Sequence, residues 1–259
     1  MHVIRRFLVL LLLFLSFATA QDIAIFAGKN PPFNYRSKGD ITGISVDILT
    51  HLFKENNLNF DAKNIVLDTW SAVFSQALVT PNSILITASR LPERESMFQW
   101  IGPVAQVKLG IIAKKQSHMS LSDVVNLKGY KIISIKNSAA ERAFIKLGGN
   151  LQNVVRVSTP KQGFRMLEYN RADALITTDL PFIFDALQEG INVNEYELVY
   201  LLKKAPYFIA THKDMDVKIV KQLQKSLDTL KKLDEQGLSK YQSIMNKYFK
   251  QASLSFKEK

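Results

Sequence analysis

The chain of 259 residues contains no cysteine. It therefore carries no disulfide, no thiolate nucleophile and no cysteine metal site. It also lacks the residue to which the lipid of a bacterial lipoprotein is attached, which excludes that tether. Glycine is sparse, at 11 residues, and no Ser- or Pro-rich linker interrupts the chain, so two independent domains on a string are not expected. After residue 20 no run is apolar enough to cross a bilayer, which takes roughly 18 to 20 apolar residues. Histidine is scarce as well. Past residue 20 only His51, His118 and His212 occur, none beside a plausible nucleophile. The sequence shows neither a metal-ligand cluster nor a phosphate-cradling glycine loop, so no cofactor and no metal is expected.

Acid is also in deficit: 34 Lys and Arg face 23 Asp and Glu, a formal net charge of +11. Residues 1–20 hold Arg5, Arg6 and no acid, so their removal leaves +9. Those residues read as a secretory leader. Two arginines precede the apolar run Phe7 to Phe17, and Ala18-Thr19-Ala20 supplies a small-x-small cleavage pattern before Gln21. Cleavage after Ala20 would give a soluble, exported protein without a lipid anchor, expected in a periplasm. For such a protein a basic surface concerns anionic ligands, a membrane face or a membrane partner rather than nucleic acid. Much of the excess, including Lys218, Lys221, Lys225, Lys240 and Lys247, reads as solvated helix faces.

Two strands organise the rest. Ile84-Leu85-Ile86-Thr87-Ala88-Ser89 runs into Arg90-Leu91-Pro92-Glu93-Arg94-Glu95, an apolar run that opens onto hydroxyls and charges. About ninety residues later Ala174-Leu175-Ile176-Thr177-Thr178-Asp179 repeats the pattern. In open α/β sheets ligands sit beyond the carboxyl ends of strands. One copy presents the cation Arg94 there and the other the anion Asp179, a pairing that suits a small zwitterion. Two unrelated core strands with solvated ends would read the same way.

Around them, strands and helices alternate. Ile44, Ile48, Leu49 and Leu52 recur at helical spacing, so 44–55 is an amphipathic helix. Phe60 to Val66 reads as a strand, with Asp68 capping a helix whose first turn holds Trp70. Val104 to Lys114 is a long extended run, and Leu121 to Leu127 a short helix. A strand Tyr130–Ile135 leads to Ser138, the N-cap of a helix that begins at Ala139. Glu197–Leu202 and Ala205–Thr211 read as two extended runs parted by Lys203-Lys204. Helices Val217–Glu235 and Leu238–Phe249 close the chain before a frayed tail, 251–259. The expected architecture is α/β, with two lobes, each a mostly parallel sheet flanked by helices, joined by a two-strand hinge. Lobe 1 takes 21–106 and, on the return, 205–250; lobe 2 takes 107–204.

With these residues in hand, the chain resembles the family 3 extracellular solute-binding proteins, the amino-acid receptors of ABC importers. The resemblance rests on an ordered set: Asn30-Pro31-Pro32-Phe33-Asn34-Tyr35, Gly43-Ile44-Ser45-Val46-Asp47-Ile48-Leu49, Ser89-Arg90-Leu91-Pro92-Glu93-Arg94-Glu95, Ala172-Asp173-Ala174-Leu175-Ile176-Thr177-Thr178-Asp179 and Ala205-Pro206-Tyr207-Phe208-Ile209-Ala210. It implies a type II periplasmic binding protein-like fold and a monomer that binds a small molecule and meets a permease in the inner membrane. Arg94 would hold a ligand carboxylate with help from Ser89, Asp179 the ammonium, and Thr87 would also be near the ligand. Ser138 and the amide of Ala139 would approach from the second lobe, with Asn30 and Trp70 also near the ligand. Two positions depart from the pattern. Asn30 stands where the family places a stacking aromatic, and Ala139 where many members have threonine.

A receptor is the leading functional expectation. A family-related enzyme such as a dehydratase is the second, with Glu141 its best stray acid, although a first-turn acid on the helix dipole has a simpler explanation. A soluble sensor for a membrane protein is the third.

Overall fold

The computed structural model describes residues 23–127 and 129–249. The expected leader, its cleavage point and the tail 251–259 lie outside the described residues. Ten strands form, numbered in chain order: β1 Ala24–Gly28, β2 Tyr35–Ser37, β3 Asp40–Thr42, β4 Val66–Asp68, β5 Ser83–Ser89, β6 Phe98–Lys114, β7 Ile132–Ile135, β8 Val154–Val157, β9 Ala174–Thr178 and β10 Tyr196–His212. Seven α-helices accompany them among the described residues: α1 Ile44–Glu55, α2 Trp70–Val79, α3 Ala139–Lys146, α4 Pro160–Glu168, α5 Asp179–Gln188, α6 Val217–Leu230 and α7 Lys240–Phe249.

Eight strands join one sheet in the order β4-β1-β5-β10-β6-β9-β7-β8, with β2-β3 a separate hairpin. The order is palindromic about the β10–β6 pair. β5 lies parallel to β1 and antiparallel to β10, while β9 lies parallel to β7 and antiparallel to β6. The two strands that share Leu-Ile-Thr thus hold equivalent places in the two halves. Both halves are α/β with parallel outer strands, and β6 and β10, each 17 residues long, run through both.

Apolar runs explain the burial. Six of the seven residues of β5 and four of the five of β9 are buried, as expected of strands covered on both faces. Glycine is required where backbones crowd. A Cβ on Gly110 of β6 would sit 2.2 Å from the Leu198 side chain and 2.7 Å from the Tyr200 carbonyl oxygen on β10. At Gly43, before α1, φ is +136° and a Cβ would meet the Phe33 carbonyl oxygen at 2.2 Å. The C-terminal helix α7 is tied to the first half. The Tyr248 hydroxyl accepts from the Gly43 amide (3.1 Å) and donates to Asp47 (2.8 Å), which also takes the Lys247 ammonium (2.7 Å).

Several local expectations change. Residues 121–127 form turns, not a helix: the Asp123 carboxylate takes the Val125 and Asn126 amides, a local bond that competes with helical pairing. The strand expected at 60–66 is reduced to β4, because Asp61 caps a 3₁₀ turn over Ala62–Asn64. Thr69, not Asp68, occupies the N-cap of α2. The two runs on either side of Lys203-Lys204 are one strand, β10, irregular between Leu201 and Lys203. Helix α6 stops at Leu230, and Asp234 turns the chain by accepting from the Gln236 and Leu238 amides.

Candidate functional site

Between the two halves lies a cavity of about 420 Å³. The first half contributes the end of β1 (Gly28, Lys29, Asn30), Trp70 on α2, and Thr87, Ser89, Arg90 and Arg94 from β5 and the turn after it. The second half contributes Leu109 on β6 and Ala139, Arg142, Ala143 and Lys146 on α3. Lys203 and Ala205-Pro206-Tyr207 of β10 close it.

Arg94 sits on a 3₁₀ turn separated from the end of β5 by two residues, so the strand's end sets its position. Its guanidinium carbon lies 5.2 Å from the Trp70 ring centre and 5.0 Å from that of Phe74, within cation–π range. One nitrogen donates to the Ser89 carbonyl oxygen at 3.3 Å. No carboxylate pairs with Arg94 among the described residues. Burial lowers its pKa, with Glu93 opposing and Arg142 adding to the effect. Neighbouring Arg90 is differently placed. It forks onto Glu95, with Nε donating at 2.8 Å, and lies 5.6 Å from the Phe208 ring centre.

Thr87 marks strain beside the site. It is a buried β-branched residue with φ +59°, a conformation such residues rarely adopt. The β5–β10 register shifts at this point, so β5 carries one extra residue, a bulge. The Thr87 hydroxyl bonds to Asn34 Oδ1 and to Ser45 Oγ (2.7 Å), and Asn34 in turn donates to the Gly28 carbonyl oxygen. Both partners are buried, at 0% and 1% exposure. The loop after β1, the start of α1 and the bulge are thus one polar network beneath the cavity floor.

Burial raises the Tyr207 pKa, with the nearby Asn30 side chain opposing it. Tyr207 also meets the Phe33 ring edge-on at 5.1 Å. With Asn30 at the cavity, the aromatic surface there comes from Tyr207 and Trp70.

Seven of the eight residues singled out from sequence fall together here. Asn30, Trp70, Thr87, Ser89, Arg94 and Ala139 line the cavity, and Ser138 caps α3 beside it by accepting from the Glu141 amide at 3.0 Å. Asp179 does not line it. Only 1% exposed, it spends one oxygen on the Lys108 amide (2.9 Å) and the Leu180 amide (2.7 Å). Burial pushes its pKa up to about 6 against those bonds. The residue before it, Thr178, pairs with Leu109, which does line the cavity. Sequence reasoning missed the cavity's remaining cations. Arg142 and Lys146 follow Ala139 at helical spacing, a signal the sequence does contain.

Glu141 points away from the cavity into a closed ion pair. Arg156 donates to it from Nε (2.9 Å) and Nη2 (2.7 Å), and the Ser134 hydroxyl and the Asn137 amide (2.8 Å) complete its shell. These bonds, Arg156 foremost, hold its pKa down to about 2. A general acid or base works best near the operating pH, so Glu141 is a structural anion. Among the described residues no group of three or more His, Asp or Glu could hold a metal ion, and no helix is long and apolar enough to cross a membrane.

Residues 23–251 match the family described as bacterial extracellular solute-binding proteins, family 3. A curated relative, the probable amino-acid-binding protein YxeM of Bacillus subtilis (strain 168), is 22% identical over 232 residues, covering 85% of each chain. Among solved structures, an ancestral cationic amino acid solute-binding protein aligns with a TM-score of 0.70 at 18% identity, over 88% of this chain and 95% of that one. The ligand-binding core of GluR0 in complex with L-glutamate gives 0.66 at 17% identity, over 90% of this chain and 100% of that one. These likenesses give the two-lobed, type II periplasmic binding protein-like fold. With the family match running almost from end to end, the chain belongs to the bacterial extracellular solute-binding proteins, family 3.

Proposed function

We propose that the protein is an exported receptor that takes an amino acid or similar small zwitterion into this cleft and delivers it to an ABC-type importer in the inner membrane. The observation that carries the reading is Arg94, a guanidinium with no carboxylate partner among the described residues, stacked on two aromatic rings at a cavity drawn from both halves. A guanidinium forks onto a carboxylate with two parallel charge-assisted bonds. In this reading Arg94 and Ser89 hold the α-carboxylate, and the Ala139 amide reaches it from the second lobe across the Ser138 cap. Thr87, Asn30 and Trp70 shape the wall. Asp179 takes the ammonium, and since it is buried and does not line the cavity, this contact forms only as the lobes shift on binding.

The lobes of this proposal are 21–106 with 205–250, and 107–204. Export by a leader over residues 1–20 would leave a soluble periplasmic monomer without a lipid anchor. YxeM's description as an amino-acid-binding protein supports the ligand class. The solved neighbours are described with ligands of opposite charge, a cationic amino acid and L-glutamate, so they do not choose among amino acids. The closed shell around Glu141 supports a binder over an enzyme.

Calorimetric titration with amino acids tests the reading. Truncating one partner of a desolvated charge pair costs about 2 to 5 kcal/mol, so Arg94→Ala should weaken binding roughly thirtyfold to several thousandfold. Wild-type affinity in a folded Arg94→Ala protein would place the site elsewhere. Chemical conversion of the ligand during incubation would reject the receptor.

A further inference from the structure

The cavity carries more positive charge than one carboxylate can balance. Lys29, Arg90, Arg94, Arg142, Lys146 and Lys203 line it, and no Asp or Glu does. Arg90 is already neutralised by Glu95. The other five have no carboxylate within ion-pair distance among the described residues.

Their placement is ordered. Ala139, Arg142, Ala143 and Lys146 stand at i, i+3, i+4 and i+7 of α3, which is one helix face. That face offers the cavity two alanines, which leave room, and two cations, which fill it with charge. Lys203 comes from β10. A lysine in the last turn of a helix is favoured by the dipole, but that accounts for neither Arg142 in mid-helix nor Lys203 on a strand. The charges also reach one another, since Arg142 is among the groups that lower the Arg94 pKa, after burial and against Glu93.

We infer that the ligand is a small dicarboxylate, an acidic amino acid foremost, with one carboxylate on Arg94 and the second on Arg142 and Lys146. This rests on the receptor reading and deepens it by naming the substrate class. A ligand with one carboxylate leaves Arg142 and Lys146, one turn apart on the same face of α3, without a counter-ion. A second carboxylate supplies one and accepts from both.

The test titrates the purified protein with glutamate and aspartate, with their same-shape amides glutamine and asparagine, and with arginine. Hydrogen bonds to charged groups contribute about 1.5–3 kcal/mol, so the preferred acid should bind roughly tenfold to a hundredfold tighter than its amide. The preference should shrink as salt is raised. Arg142→Gln and Lys146→Gln should each reduce the acid-over-amide ratio, weakening the acid more than the amide, with circular dichroism confirming the fold. An amide or arginine that binds as tightly as the acids, in a manner Arg94→Ala abolishes, overturns the dicarboxylate inference and leaves the receptor standing. A ratio unchanged in both folded variants overturns the assignment of the second carboxylate. Absence of binding by any of the five overturns the inference together with the amino-acid reading on which it rests.

Discussion

Asp179→Asn separates the electrostatics of the site from its packing. The Asp179 carboxyl is 1% exposed, and burial raises its pKa from 3.8 to about 6. A group whose folded pKa lies above its unfolded value contributes stability that is complete below the unfolded pKa and lost as pH rises through the folded one. The loss here runs from about pH 4 to about pH 6. At 1.36 kcal/mol per pKa unit, a shift of about two units makes it roughly 3 kcal/mol. The substituted asparagine cannot ionise, yet its amide oxygen can still accept from the Lys108 and Leu180 amides. Whatever the substitution does to packing is independent of pH, so it drops out of the comparison. The difference in unfolding free energy between Asp179→Asn and wild type, measured by urea denaturation without ligand at pH 4, 5, 6 and 7.5, should therefore shift by about 2.5 kcal/mol in favour of the variant across the series. Asp185, whose pKa burial also raises to about 6, is common to both proteins and cancels. A difference that stays flat across those pH values would refute the claim that the folded state holds this carboxylate at a penalty. It would also remove the reason to expect Asp179 to draw in an ammonium.

Thr87→Val keeps the shape and the unusual backbone but deprives buried Asn34 and Ser45 of a partner, at about 1–3 kcal/mol. In a chain of this size that lowers Tm by roughly 2–12 °C, whereas Thr87→Ser should stay within about 1 kcal/mol of wild type in the same melt. Glu141 has a folded pKa below its unfolded one, so its contribution is present above about pH 4.5 and disappears as pH falls through about 2. Glu141→Gln should flatten that part of the acid unfolding curve, with intrinsic fluorescence as the readout.

Much of this architecture was legible because its signals are local. The alternation of buried strands and amphipathic helices follows from periodicity, and helix 44–55 agrees to the residue. The repeated Leu-Ile-Thr strands foretold the two halves, since equivalent places in a palindromic sheet ask for equivalent sequences. Arg94, Ser89 and Thr87 could be placed from the end of one strand. What stayed hidden depended on direction. That Asp179 follows β9 is plain in the sequence; that its carboxylate turns to the Lys108 amide depends on β6, some seventy residues earlier. The cations of α3 were not singled out, because their spacing shows a shared helix face but not that residues of β5 and β10 share a cavity with it. Residues 121–127 misled because their apolar spacing suits a helix while Asp123 spends its side chain on a turn.

The two 17-residue strands have a mechanical consequence. A joint made of loops would let one lobe swing about a few soft dihedrals. Here every path between the lobes that follows β6 or β10 stays inside a hydrogen-bonded ladder, pinched at Gly110 and interrupted by register shifts at Leu198/Tyr200, Leu201/Lys203 and Tyr207/Ile209. Relative motion of the lobes must then be twisting of a two-stranded ribbon, concentrated at the irregular steps where fewest bonds resist. Two of those steps carry Lys203 and Tyr207, both at the cavity. If the proposed ligand binds there, the steps most able to twist and the residues that feel the ligand are the same few, so a ligand gripping Lys203 and Tyr207 would stiffen the torsion spring directly.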